Sequence, residues 1–206
     1  PPPSRSDYFL SLTSTDLGDE GRLPPHLSGV GRKLRPAWLR EVVINRGAVR
    51  PYMATRMPQF GAPNVEPLVA DFTQADAPTP PPLEDPPLAD AATGRVLIGT
   101  GGCSCIVCHN FGGRPSLGLS VMDMTWMNRR LRYDWFHRYL LDPTGLRPGT
   151  RMPAFWPESQ ASIKTLLDGD TGRQIRAIWS FLALGTAAQP PPGLDTRATS
   201  TPPITP

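Results

Sequence analysis

Cys105-Ile106-Val107-Cys108-His109 constrains this chain more than any other stretch. Two thiols three positions apart can each bond one vinyl group of the same porphyrin, while the adjacent imidazole reaches the iron. The C-x-x-C-H pattern therefore reads as the covalent attachment site of a c-type haem, with His109 as proximal ligand. The cysteine count limits the alternatives. Only Cys103, Cys105 and Cys108 are present, so a four-cysteine iron–sulfur cluster cannot form within the chain. Three cysteines and His109 would suffice for a structural zinc ion, but such sites usually use two separated ligand pairs. A thioredoxin-like motif wants a βαβ setting, and strand-like alternation is absent here. A plain disulfide is the last alternative. Cys103 also lies upstream of Cys108 and would give a longer attachment spacing. The standard spacing favours Cys105, and Cys103 reads as a small buried residue beside the haem.

A sixth iron ligand is sought downstream, and Gly149-Thr150-Arg151-Met152-Pro153-Ala154-Phe155 supplies Met152. Pro153 biases Met152 toward an extended backbone, so that a loop rather than a helix face presents the thioether. That is the distal loop of a small cytochrome c. Met122, Met124 and Met127 compete, but they crowd close after the attachment site and suit the flexible apolar filling of a haem crevice. His137 sits within a helical pattern and reads as a surface or partly packed histidine.

Leu131, Trp135, Tyr139 and Leu140 fall on one helical stripe, predicting a helix from about Asn128 to Leu141 that Pro143 ends. A last helix follows Thr171-Gly172-Arg173-Gln174, read as a capping box, with Ile175, Ile178, Trp179 and Leu182 on one face and Gly185 as its stop. A shorter helix is predicted from Asp90 to Ile98, weakened by Gly94.

The first half repeats part of this plan. Leu34-Arg35-Pro36-Ala37-Trp38-Leu39 echoes Leu131-Arg132-Tyr133-Asp134-Trp135-Phe136, and Thr55-Arg56-Met57-Pro58-Gln59-Phe60 echoes Thr150-Arg151-Met152-Pro153-Ala154-Phe155 in the same order. Pro36 suits the first turn of a helix carrying Trp38, Val42 and Val43, and Val65, Leu68, Val69 and Phe72 mark a closing helix after Asn64. The expected fold is all-α: two tandem class I cytochrome c-like lobes, with extended Pro-rich termini. Residues 1–76 would form a lobe with no C-x-x-C-H of its own, 77–87 a stiff Pro-rich linker, 88–186 the haem domain and 187–206 an extended tail. Since no cysteine precedes Cys103, Met57 is a ligand without a visible haem. Either an attachment pentad lies upstream of Pro1 in a longer precursor, or this lobe survives as a packing module. The opening on Pro1, with no initiator methionine or signal peptide, suggests a fragment or processed product. His26 reads as part of a surface turn.

Together the segments Leu23-Pro24-Pro25-His26-Leu27-Ser28-Gly29-Val30-Gly31, Thr55-Arg56-Met57-Pro58-Gln59-Phe60-Gly61, Cys105-Ile106-Val107-Cys108-His109 and Thr150-Arg151-Met152-Pro153 resemble the tandem cytochrome c haem-binding domains of planctomycete-type large multidomain haem proteins. The resemblance spans about residues 15–185. It implies that a C-x-x-C-H precedes the first lobe and that Met57 would be the distal ligand of that second haem. The second lobe departs from the family where a Gly-Pro-Asp-Leu turn often supports the proximal histidine: Val121-Met122-Asp123-Met124 stands there instead.

A chain of 206 residues holds two small domains, and a haem adds apolar contact that such domains otherwise lack. No apolar run approaches the about 18 residues of a membrane-spanning helix. Net charge is a mild +3. The cluster Arg129, Arg130, Arg132 and Arg138 reads first as a solvated helix face with salt bridges, and otherwise as a docking patch for an acidic redox partner or a clamp on the haem propionates. Aromatic interleaving suited to nucleic acid is absent. Two axial ligands leave iron no vacant position, so single-electron transfer rather than catalysis is expected. The protein would be a periplasmic or otherwise extracytoplasmic electron carrier with one covalent haem c, serving redox partners or a larger membrane-associated complex. The other readings are a haem enzyme or gas sensor with a displaceable sixth ligand, and a mainly structural subunit of a redox assembly.

Overall fold

A computed structural model describes Phe9, Leu17 and residues 19–77 and 81–194. Among these residues the chain is mostly helical, with isolated bridges and no strand. No helix among them is long and apolar enough to cross a membrane.

The second half is organised by two helices, α6 (Ala91–Ile98) and α10 (Thr171–Leu182). They cross at Gly94, where a Cβ would overlap the Ala177 carbonyl. That close approach explains a residue that otherwise weakens a helix. Ile175, Ile178, Trp179 and Leu182 of α10 are buried as their spacing predicts. The N-cap is not the expected Thr171, however. Asp170 accepts from the Arg173 amide at 2.7 Å, and Thr171 donates its hydroxyl to the Ser159 carbonyl. Gln174 turns inward instead of closing a capping box: its Oε1 accepts from Trp156 Nε1 at 3.0 Å, and its Nε2 donates to the Ile163 and Leu166 carbonyls. The helix ends at Leu182, ahead of Gly185.

The single helix expected from Asn128 to Leu141 is two: α7 (Met127–Arg130) and α8 (Tyr133–Leu141). Leu131 between them is extended, with φ −98 and ψ 145 at its counterpart Leu34 and φ −97 and ψ 152 at Leu131 itself. The two leucines form an antiparallel bridge. Tertiary pairing here overrides the local helical pattern. Pro143, besides ending α8, opens the short α9 (Pro143–Leu146), capped by Asp142.

The first half contains α1 (Asp19–Arg22), α2 (Val30–Lys33), α3 (Pro36–Ile44), α4 (Ala62–Val65) and α5 (Pro67–Ala75). Trp38, Leu39 and Val43 of α3 are buried, as expected of a helix begun by Pro36. The closing helix begins at Ala62, before Asn64, and is interrupted ahead of Pro67. No residue of α5 is fully buried.

The two repeats meet around an approximate two-fold axis at the Leu34–Leu131 bridge. The Arg35 amide donates to the Arg130 carbonyl at 2.9 Å, and the equivalent Arg132 amide donates to the Lys33 carbonyl at 3.0 Å. Arg35 Nε donates to the Asn128 carbonyl at 2.7 Å, and Arg132 Nε to the Gly31 carbonyl at 3.0 Å. Equivalent residues thus exchange equivalent bonds, the mark of a self-complementary junction.

In the proline-rich segment, residues 78–80 lie outside the described set. Beyond them, the Leu83 amide donates to Asp134 and Asp85 pairs with Arg35, so this stretch runs along the repeat junction. Of the expected tail, residues up to Leu194 pack on the second half. Arg95 donates to the Pro190 carbonyl, Thr100 to that of Pro192, and Leu194 is fully buried. Residues 195–206, and all of 1–18 except Phe9 and Leu17, fall outside the description.

Candidate cofactor site

The pentad follows α6 directly. A turn through Gly99 to Gly102 returns the chain so that the Cys103 amide donates to the Leu97 carbonyl at 2.6 Å. Cys105–Val107 form one 3-10 turn, entered through Ser104 in the left-handed region, and the His109 amide donates to the Cys105 carbonyl at 2.9 Å. The following loop clasps this turn from outside. Leu117, Gly118 and Val121 donate their amides to the carbonyls of Ile106, Val107 and Cys108. Ile106 is buried beneath, and Phe111 stacks on Phe181 of α10 at 5.4 Å. The attachment segment is thereby fixed to the helix crossing.

His109 is held by its Nδ1, 3.1 Å from the Met122 carbonyl oxygen. A carbonyl only accepts, so Nδ1 carries the proton and the Nε2 lone pair faces away from this bond. Burial lowers the His109 pKa and so favours the neutral imidazole that binds metal. Neither glycine nor proline is needed at Val121-Met122 to offer that carbonyl. Asp123 fixes the turn, its Oδ1 accepting from the Thr125 amide at 2.9 Å and its Oδ2 from the Gly113 amide at 2.9 Å.

All three cysteines are free thiols. Burial pushes Cys105 up to about 12, and Cys103 up to about 11. Burial also raises Cys108, partly countered by Arg151. Among the described residues, no group of three or more His, Cys, Asp or Glu side chains is arranged to hold a metal ion.

Met152 lies on an irregular loop and is partly buried against the core. Met122, Met124 and Met127 go elsewhere. Met124 and Met127 are buried filling, and Met122 and Met127 turn their sulfurs toward Arg130. His137 is half-buried against Tyr133, and His26 is exposed.

In the first half, Met57 is 36% exposed. The methionine that this loop buries is Met53, 4% exposed, which the Thr-Arg-Met-Pro echo does not single out. The adjacent Tyr52 is buried with it, at 8% exposed.

The arginine cluster is a solvated face only in part. Arg132 binds backbone carbonyls of the first half, and Arg129 lies over Trp38 and Trp126. Arg130 is buried, whereas Arg129 is exposed and the Arg138 side chain, 3.9 Å from Asp134, stays partly in solvent. As a docking patch these four do not share a surface. Comparison with family models, curated proteins and solved structures finds no match to this chain.

Proposed function

We propose that this chain is an electron-transfer cytochrome c, built as two tandem class I cytochrome c-like lobes, the second of which carries one covalent haem. Cys105 and Cys108 would hold it through thioether links, and His109 and Met152 would be its axial ligands. The observation that carries the reading is the His109 Nδ1–H bond to the Met122 carbonyl beside two free, half-buried thiols. It fixes the tautomer and raises the basicity of the nitrogen left for iron, the usual task of a second partner to a ligating histidine.

Iron bound by imidazole and thioether exchanges single electrons with little rearrangement. The protein residues do the rest. The loop over the pentad fixes its backbone through three amide donors, and the Phe111–Phe181 stack ties the segment to α10. Met57, on the equivalent loop of the first lobe, would serve a second haem only with a further attachment pentad. The resemblance to planctomycete-type haem proteins supports a role as a subunit or processed piece of a larger extracytoplasmic redox assembly.

Expression in a host that attaches haem covalently tests this. The expected product is red after denaturation and acid-acetone extraction, with a low-spin spectrum. A product whose colour is extracted, or that takes up no haem, refutes it.

A further inference from the structure

The loop that carries Met152 is held in part by the other half of the chain. Residues 147–152 contain no regular element, and Gly149 among them lies in the left-handed region with φ 84. Such a stretch stands where its tethers put it, because it has no hydrogen-bond ladder of its own. Two chains of contact reach it, and each begins in the first half.

One begins at Glu20 in α1, whose Oε1 accepts from Arg147 Nε at 2.9 Å. These side chains are 31% and 21% exposed, so solvent and salt screen the pair less than one at the open surface. The Arg147 carbonyl in turn accepts from the Thr150 amide at 3.1 Å. The other begins at Lys33 in α2, whose Nζ lies 4.2 Å from the centre of the Trp135 ring in a cation–π contact. Trp135 stacks on Tyr139 at 4.6 Å, and the Tyr139 hydroxyl is 3.1 Å from Thr150 Oγ1. Both chains end on Thr150, whose Oγ1 also accepts from the Met152 amide at 3.3 Å. Beside them, Arg32 of α2 pairs with Asp134 of α8 at 3.2 Å, so the helix that carries Trp135 and Tyr139 is itself fixed to the first half. In the equivalent loop of the first half, Arg56 and Gln59 turn to their own half, donating to the carbonyls of Met53 and Val42.

We propose that the first half braces the Met152 loop, with Glu20, Arg147 and Lys33 as positioning residues for the sixth ligand of the haem iron. This rests on the haem reading, and it gives the first half a task that needs no haem of its own. An external ligand binds the iron only in molecules whose Met152 has left, so its apparent affinity scales with that fraction. The brace keeps the fraction small and commits the site to electron transfer. Parting the two halves opens the same iron to small ligands.

The test is an imidazole titration of the ferric, haem-loaded full chain, followed by absorption. The proteins are wild type, Glu20→Gln, Arg147→Gln, their double substitution, Lys33→Met and Arg40→Gln. Arg40 pairs with Glu66 inside the first half, so its replacement removes a similar ion pair that crosses to nothing in the second. Glu20→Gln and Arg147→Gln should each tighten imidazole binding about threefold, the scale of one partly shielded ion pair. The double substitution should gain no more than either single one, because the two side chains make one interaction. Lys33→Met should tighten binding by a similar factor, and Arg40→Gln should match wild type. In Glu20→Gln the Thr150 and Met152 amides should also exchange their hydrogens faster. Wild-type affinity in every brace variant, with haem content intact, overturns the brace and leaves the haem reading standing. An equal gain in Arg40→Gln overturns it as well, since the effect would then be a general loosening. A wild-type chain that takes up no haem overturns both. Should Lys33→Met not fold, the Glu20 and Arg147 variants, at partly exposed side chains, decide alone.

Discussion

Leu34 and Leu131, equivalent members of the two sequence repeats, face each other in an antiparallel bridge at the centre of the molecule. Each is buried, and each is followed by an arginine, Arg35 or Arg132, that donates its amide and guanidinium hydrogens to carbonyls of the opposite repeat. Sequence duplication here became a structural axis, since a segment that resembles its partner can pair with it reciprocally.

Leu34→Ala and Leu131→Ala should each destabilise the chain by about 2–4 kcal/mol, the range for truncating a buried leucine. Because the two side chains share one junction, the double substitution should depart from additivity by about 0.5 kcal/mol or more. Denaturant unfolding of the four proteins measures the cycle. Strict additivity would mean that the leucines do not depend on each other.

Gly94→Val places a branched side chain where α6 touches the Ala177 carbonyl. The helices must separate, at a cost of roughly 3 kcal/mol or more. The thermal midpoint reads the loss. A variant as stable as wild type would contradict the tight crossing, since helix propensity alone favours the replacement of glycine.

Gln174→Leu keeps size but strands the Trp156 indole N–H and the Ile163 and Leu166 carbonyls. Each buried polar group left unmatched costs about 1–3 kcal/mol. A total loss of about 3 kcal/mol or more is expected in chemical denaturation. A loss below about 1 kcal/mol would show that water reaches these groups.

Part of this architecture was legible in the residues. The Arg151-Met152-Pro153 loop obeys a local rule, that of proline geometry, and α10 declares itself through its apolar face. The break at Leu131 could not be read locally, because an extended leucine inside a helical stripe is imposed by Leu34 in the other repeat. Thr171 and Gln174 fit the capping-box spacing, yet Asp170 supplied a stronger acceptor and Trp156 drew Gln174 into the core. Arg130 was hidden for a different reason. A run of arginines reads as surface, and burial of one depends on the partner repeat supplying the wall.

Within the proposed haem site the ligands should separate by their readouts. Met152→Ala should keep the covalent haem and lose the weak far-red absorption of methionine-ligated ferric iron. Cys103→Ser should keep both, because Cys103 is expected to serve packing rather than attachment. Persistence of the far-red band in Met152→Ala would move the sixth ligand to another residue. Loss of covalent haem in Cys103→Ser would give Cys103 the attachment role instead of Cys105.

The intact mass of the full chain, purified from a host with covalent haem maturation, tests the central claim most directly. The expected mass is that of the polypeptide plus one haem, falling to that of the bare polypeptide when Cys105 and Cys108 are both replaced by Ser. A bare polypeptide mass for the wild type, or a haem adduct that survives the double substitution, would contradict it.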